Sequence, residues 1–397
     1  MAGCGGRGNA PPPPPPPKVI IYPDPFGDVK MHYHNDKRLL LTLSATPELR
    51  MLASNHFLAQ GHHRRRKAPA LKKTDERLYK FETEKSCQGI ARLDERHYVV
   101  ITSESEDYPA LILRPGTSVI WLVDVRPWEL GQGLATATKL FDFVDAGCLN
   151  KVAAIPRPTT TPSHNTNTTN AAETSSWPLL LISDSTFGRI LSSDPTTKQQ
   201  QIWFEHPSMS PMGNASSPFG INGLEYFGGY VYYTNTSAMS LHRMKVNSLT
   251  LLPALAEPEE LPMTKDKHIK IGGLDLACCT SASGDRLLIL VAGAEGIFRF
   301  WQARDKWKRD YVLGNGHHWW PPTSSVVVRL GETRGAQRGV CLWVGTSRRK
   351  PSSKIPAEDR GGKVMCQLMW HVSRKGRVSP SARLYASFPS FAPQYIS

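Results

Sequence analysis

The side chains best suited to chemistry are three oxygen-bearing residues that recur in similar short segments: Asn150 in GCLN, Asn222 in FGINGL and Asp275 in GLDLA. Each segment is rich in small residues and leads into a strand-like run, so each oxygen is expected at the start of a strand. Amide and carboxylate oxygens are the ligands that calcium or magnesium takes. They also tie neighbouring sheets together by hydrogen bonds, since buried polar groups are nearly always paired. A second set is aromatic: Phe219 and Tyr226 flank Asn222, while His317, His318, Trp319 and Trp320 precede PPTS. These types build an apolar pocket wall with a few polar anchors, and the two tryptophans equally suit packing between sheets. The chain has no G-x-S-x-G nucleophile turn and no P-loop, so those motif-borne chemistries find no support.

The elements that must position these residues are strands. Runs such as YVVITS (Tyr98–Ser103), SVIWLVDV (Ser118–Val125), LLLISDS (Leu179–Ser185), YVYYTNT (Tyr230–Thr236), LLILVAG (Leu287–Gly293) and VCLWVGTS (Val340–Ser347) are bounded by turn residues, and helical periodicity is nearly absent. A similar unit recurs: a small-residue segment, a strand ending in a polar residue, then a second strand. The segments CQGI (Cys87–Ile90), GCLN (Gly147–Asn150), FGINGL (Phe219–Leu224), GLDLA (Gly273–Ala277) and PPTS (Pro321–Ser324) stand roughly 50 to 70 residues apart, which suits a four-stranded blade. With Val29–Leu43 as a sixth unit, the expected fold is all-β, a single six-bladed β-propeller over residues 18–397. Lys18–Tyr22 (KVIIY) is expected to close the ring by pairing with the last strands. Residues 1–17, ending in seven prolines, are expected to be a disordered, extended leader.

At 397 residues and 40% hydrophobic, the chain is long enough for a sizeable core. No run approaches the length of a membrane span. The N-terminus has no apolar signal region, so a cytoplasmic location is the default expectation. Seven cysteines show no C-x-x-C spacing and read as small hydrophobes. Three glycosylation sequons, at Asn167, Asn214 and Asn235, matter only on a secretory route. The net charge of +14 is concentrated in loop-like segments such as His62–Lys67, Arg348–Lys350 and Arg374–Arg377. It comes without an aromatic-interleaved basic motif, so no nucleic-acid partner is expected.

FGINGLEYFGGYVYYTNTS (Phe219–Ser237) resembles the G-x-N-G…Y-[FY]-T-N pattern of fungal six-bladed propellers, which are similar to the senescence-marker-protein/gluconolactonase superfamily. LLLTLSATPEL (Leu39–Leu49), SCQGIARLDERHYVVITSE (Ser86–Glu104), DAGCLNKVAAI (Asp145–Ile155) with LLISDSTFGRIL (Leu180–Leu191), and PPTSSVVV with CLWVGTS resemble successive pieces of the same pattern, in order, over residues 18–350. Within this family the sequence is similar to the hetero-Diels-Alderases of tropolone-sesquiterpenoid biosynthesis.

The resemblance implies a cofactor-independent enzyme of fungal secondary metabolism that joins a tropolone-type o-quinone methide to a sesquiterpene alkene such as humulene. Its partners would be small polyketide and terpene substrates. Asn222, Asn150 and Asp275 would be its polar catalytic positions, and Phe219, Tyr226, His317, Trp319 and Trp320 its substrate wall, with no bound metal. Two alternatives stay open. One is a metal-dependent lactone hydrolase of the gluconolactonase type, centred on Asn150, Asn222 and Asp275. In related lactonases the cation has an acidic ligand from the first blade, whereas here the matching position reads as Val29, beside Asp28. The other is a non-catalytic propeller that binds a partner through its basic loops.

Overall fold

The structure is a computed structural model. It describes residues 20–22, 29–34, 38–53, 75–106, 111–158, 177–213, 217–261, 275–280, 287–293, 296–303, 306–313, 322–329, 340–346, 371–372 and 378–379. Strand β1 (Ile20–Tyr22) precedes the first blade, which contains β2 (Val29–Tyr33), β3 (Arg38–Leu43), β4 (Thr46–Ala53) and β5 (Asp75–Lys80) in that spatial order. The second blade is β6 (Ser86–Arg92), β7 (His97–Ser103), β9 (Ser118–Asp124) and β10 (Thr136–Phe143), with β8 (Leu111–Leu113) inserted before β9 and a one-turn helix α1 (Arg126–Glu129) after it. The third is β11 (Leu149–Ile155), β12 (Leu179–Asp184), β13 (Arg189–Ser193) and β14 (Gln200–Glu205). The fourth is β15 (Ile221–Phe227), β16 (Tyr230–Asn235), β17 (Ser240–Lys245) and β18 (Glu259–Glu260). The fifth is β19 (Asp275–Thr280), β20 (Leu287–Gly293), β21 (Gly296–Ala303) and β22 (Lys306–Leu313). The sixth contributes β23 (Pro322–Arg329) and β24 (Val340–Thr346), and a short pair, β25 (His371–Val372) with β26 (Val378–Ser379), follows.

The first strands of the blades, β2, β6, β11, β15, β19 and β23, neighbour one another in that order, and β23 returns against β2. That closed cycle is a six-bladed β-propeller with the inner strands around a central channel. Ring closure comes from packing of β23 on β2. KVIIY does not supply it: Ile20, Ile21 and Tyr22 pair instead with Leu113, Ile112 and Leu111 of β8. The edge that those apolar residues cover is therefore the second blade's insertion.

Why the middle strands are continuously apolar follows from the period of two. Tyr98, Val99, Val100 and Ile101 of β7 are all inaccessible to solvent. Tyr98 and Val100 pack toward the first blade with Leu40, Leu49 and Phe81, while the neighbouring Val99 and Ile101 pack toward the third with Val152 and Ile182. The second blade thus buries its two faces in two different cores. The seams are tight. A Cβ on Gly89 of β6 would stand 2.7 Å from the Asn150 carbonyl oxygen and 2.9 Å from the Lys151 Cα, so only glycine lets β6 and β11 approach this closely.

A candidate site at the channel mouth

Three successive inner strands carry the same irregularity. In β6 the register jumps between Cys87 and Ile90, in β11 between Leu149 and Val152, and in β15 between Ile221 and Leu224. Gln88 and Gly89 therefore face the single residue Ile101, Asn150 and Lys151 face Ser183, and Asn222 and Gly223 face Thr234. These are bulges, which re-aim side chains near the end of a strand. Hydroxyls fix two of them: Lys151 N–H donates to Ser183 Oγ at 3.0 Å and Gly223 N–H to Thr234 Oγ1 at 2.9 Å. The Ser183 hydroxyl in turn donates across the seam to the Asn222 carbonyl at 2.9 Å, as the Thr42 hydroxyl does to the Gln88 carbonyl.

Asn150 and Asn222 are thus brought to equivalent places on adjacent inner strands. Both are buried, and the Oδ1 of each has no hydrogen-bond partner among the described residues. The Asn222 amide is held from its other end, Nδ2 donating to Thr236 Oγ1 at 3.0 Å. An orphaned buried carbonyl oxygen is costly and marks a place where a donor from outside the chain is expected. Asp275 opens β19 opposite Ala292 at the same end of its strand, in regular register, and its side chain lies outside the described residues.

The first blade supplies Lys30. It stands opposite Thr42, and Thr42 plays toward Gln88 the part that Ser183 plays toward Asn222, so the position matching the bulges is Lys30 rather than Val29. Its side chain is buried, as is that of Lys151. A divalent cation needs anionic or neutral oxygens on every side, and an ammonium in place of the expected acid does not fit one. Among the described residues no cluster of three His, Cys, Asp or Glu side chains could hold a metal ion. Two residues along β2 from Lys30, half-buried His32 lies edge-on to Tyr98 at 5.6 Å between ring centroids. Burial first, then the charges of Lys151, Arg92 and His34, hold His32 down at about 3. It is a neutral imidazole with an N–H to give.

The same end of the blades carries exposed apolar side chains. The tips joining β12 to β13 (residues 185–188) and β16 to β17 (236–239) belong to the same end of the blades as Asn150 and Asn222, because Leu149 pairs with Asp184 and Ile221 with Asn235. Phe187 and Met239 project from them, 48% and 41% exposed, and Met212 is 49% exposed. The strap that carries Met212 and half-buried Phe219 is stitched to both tips. Gly220 N–H donates to the Ser185 carbonyl at 2.7 Å, Thr236 N–H to the Gly220 carbonyl at 2.9 Å, Ser237 N–H to the Phe219 carbonyl at 3.1 Å and Met212 N–H to Ser237 Oγ at 2.8 Å. Asn235, one of the sequons, clamps the same strap: its Nδ2 donates to the Ser208 and Ser210 carbonyls, each at 2.9 Å.

Tyr226 is not at this end. It lies four residues beyond Asn222 on one strand, about 13 Å away at the usual rise, and packs against the core between blades three and four. His317, Trp319, Trp320 and the basic segments His62–Lys67, Arg348–Lys350 and Arg374–Arg377 lie outside the described residues. Sequence reasoning missed Gln88, Lys30 and His32 of the inner strands, although CQGI already marked the first of them.

The fold and its mouth define a β-propeller with a polar, glycine-tightened throat. No family model and no curated protein matches the chain. Among solved structures, an auxiliary nutrient binding protein from Bacteroides ovatus matches over 82% of this chain and 67% of its own, at 11% identity and a TM-score of 0.50. The allergen Mala s 1 of Malassezia sympodialis matches over 83% and 90%, at 9% identity and 0.48. Regucalcin, a calcium-binding protein from Agrobacterium tumefaciens, matches over 85% and 88%, at 14% identity and 0.44. At these identities the likeness concerns the fold. No helix among the described residues is long and apolar enough to cross a membrane.

Proposed function

We propose that this chain is an enzyme of fungal secondary metabolism that joins a tropolone-type o-quinone methide to a sesquiterpene alkene such as humulene by hetero-Diels-Alder cycloaddition. The observation that carries this reading is the juxtaposition of two orphaned amide oxygens, Asn150 Oδ1 and Asn222 Oδ1, with exposed apolar side chains on the same end of the blades. One reactant of such a reaction is rich in oxygen and the other is a hydrocarbon. The asparagine oxygens accept hydrogen bonds from hydroxyls of the first and fix its orientation. No side chain has to carry a proton away. The rate gain comes mainly from holding two reactants at reacting distance, which supplies up to roughly 7–11 kcal/mol.

The purified protein, incubated with a quinone-methide precursor and humulene, is expected to enrich one cycloadduct over the spontaneous mixture. Asn222→Ala and Asn150→Ala are each expected to cut that enrichment about tenfold, the equivalent of one hydrogen bond of about 1.4 kcal/mol. A product ratio identical to that of the boiled protein would sink the reading.

A further inference from the structure

The geometry points to a second activity, hydrolysis of small neutral esters, with the Ser208 hydroxyl as nucleophile, His206 as its base and Glu257 as the carboxylate that orients the base. The site shares no reacting group with the channel mouth and is independent of the cycloaddition. Its frame is the HPSM turn (His206–Met209) that follows β14, the outermost strand of blade three. Pro207, whose ring fixes φ, opens a single 3-10 turn over Pro207–Met209, closed by Met209 N–H donating to the His206 carbonyl at 2.9 Å. Met209 is fully buried in the core between blades three and four. Asn235 Nδ2 holds the Ser208 carbonyl at 2.9 Å, and Phe204 stacks on the His206 ring with the two planes 12° apart. The turn is thus pinned, and it folds Ser208 back over His206.

Each hydrogen in this row has a definite place. The Ser208 backbone N–H donates to His206 Nδ1 at 3.2 Å, so Nδ1 is the unprotonated nitrogen, and Nε2 carries the hydrogen, which it gives to Glu257 Oε2 at 3.0 Å. Ser208 Oγ lies 2.8 Å from the same Nδ1, a contact whose hydrogen only the serine can supply. Tyr233 Oη lies 2.8 Å from Ser208 Oγ and, by the same reasoning, donates to it. Burial pushes the Tyr233 phenol up, so it keeps its proton. A nucleophile within reach of a base, and a base oriented by a third group, is the arrangement that activates a serine. The row is also open to a reactant: Ser208 is half-buried, the His206 side chain is 23% exposed and that of Glu257 83%. The seam between blades one and two has similar residues without these properties, since Tyr98 meets His34 directly and the His34 side chain is inaccessible. Glu205 and Glu257, both exposed, put negative charge beside His206, which disfavours an anionic ester and makes a neutral one the substrate. In the reaction Oγ bonds to the ester carbonyl carbon as its proton passes to Nδ1, the Tyr233 phenol donates to the oxyanion, and the bond to the alcohol oxygen breaks as the alcohol takes that proton. Water then gives a proton to Nδ1 and attacks the acyl carbon, and the proton returns to Oγ as the acid leaves.

The test incubates the full chain with p-nitrophenyl acetate and, separately, with a fluorophosphonate probe, and maps the modified residue by mass spectrometry. The acetyl and phosphonyl groups are both expected on Ser208. His206→Gln should slow hydrolysis about 100-fold. Glu257→Gln should lower kcat about tenfold with KM and melting temperature unchanged, a split that a merely structural residue would not give. His97→Gln removes a histidine held between two other carboxylates, Asp94 at 2.8 Å and Asp124 at 3.7 Å, and should leave hydrolysis as it is. Mapping on the unaltered protein decides the matter even where Ser208→Ala does not fold. Acetyl groups found only on lysines, hydrolysis that survives Ser208→Ala, or a loss in His97→Gln equal to that in His206→Gln overturns the inference.

Discussion

The seam between blades one and two and the seam between blades three and four solve one problem in two ways. Each buries a tyrosine completely, Tyr98 in the first and Tyr233 in the second, and each phenol needs a partner. At the first seam the partner is direct: Tyr98 Oη meets His34 Nδ1, and His34 Nε2 lies 3.0 Å from Glu129 Oε1 on α1. At the second the chain is longer. Tyr233 Oη lies 2.8 Å from Ser208 Oγ, Ser208 Oγ lies 2.8 Å from His206 Nδ1, and His206 Nε2 lies 3.0 Å from Glu257 Oε2. A further histidine, His242, stacks on Tyr233 with its Nδ1 buried and without a partner among the described residues. The first network ends in a carboxylate 19% exposed and the second in one 83% exposed. The same types of residue therefore do unequal work, because burial decides what an ion pair is worth.

Acid should expose the shared liability of the two seams before their difference. His32 beside Tyr98 is held at about 3 and His242 beside Tyr233 at about 4, both chiefly by burial. Their values lie below the 6.5 of an unfolded histidine, so the unfolded chain binds protons first. Their contribution to stability is complete above about pH 6.5, is lost as pH falls, and levels off near the folded values. At pH 5 each should have cost about 2 kcal/mol. Chemical denaturation at pH 7 and pH 5 of the protein and of His242→Gln isolates the share of His242 by difference; a pH dependence unchanged by the substitution would contradict the burial of that ring.

The difference between the seams appears in the carboxylates. Glu129→Ala leaves His34, whose side chain is inaccessible, without its acceptor, and is expected to destabilise by about 2–3 kcal/mol. Tyr233→Phe removes one phenolic hydrogen bond while Ser208 keeps His206, and should cost about 1 kcal/mol. If the two changes cost the same in urea unfolding, the contrast between a direct and a relayed network fails.

How much of this was legible beforehand differs between strands and seams. Continuous short apolar runs and recurring small-residue segments announce blades, because a propeller repeats its unit and a strand buried on both faces is apolar throughout. Asn150 and Asn222 could be matched because their motifs share a residue type. Gln88, at the same bulge in CQGI, escaped because its type differs. The first-blade position was misplaced by one residue: nothing in the sequence says that Thr42 faces Lys30, and a shift of one residue in a strand exchanges its faces. Phe187 and Met239 were invisible as a pair because the blades alone bring them to one end. Tyr226 shows the reverse error, since nearness in sequence along an extended strand is distance in space.

The sharpest form of the comparison is its smallest effect. Glu257 holds His206 at the same 3.0 Å that separates Glu129 from His34, so geometry alone would rank the two pairs as equals. Water decides otherwise. Glu257 stays solvated with or without its partner, and His206 keeps a second anchor through Nδ1, which accepts from the Ser208 backbone N–H at 3.2 Å. Glu257→Ala should therefore change unfolding stability by no more than about 0.5 kcal/mol, and that remnant should vanish in 1 M salt. Glu129→Ala should keep its full effect at the same salt, since a group shut away from solvent is not screened. A salt-insensitive loss on removing Glu257 would mean that the relay at the second seam is as closed as the direct network at the first.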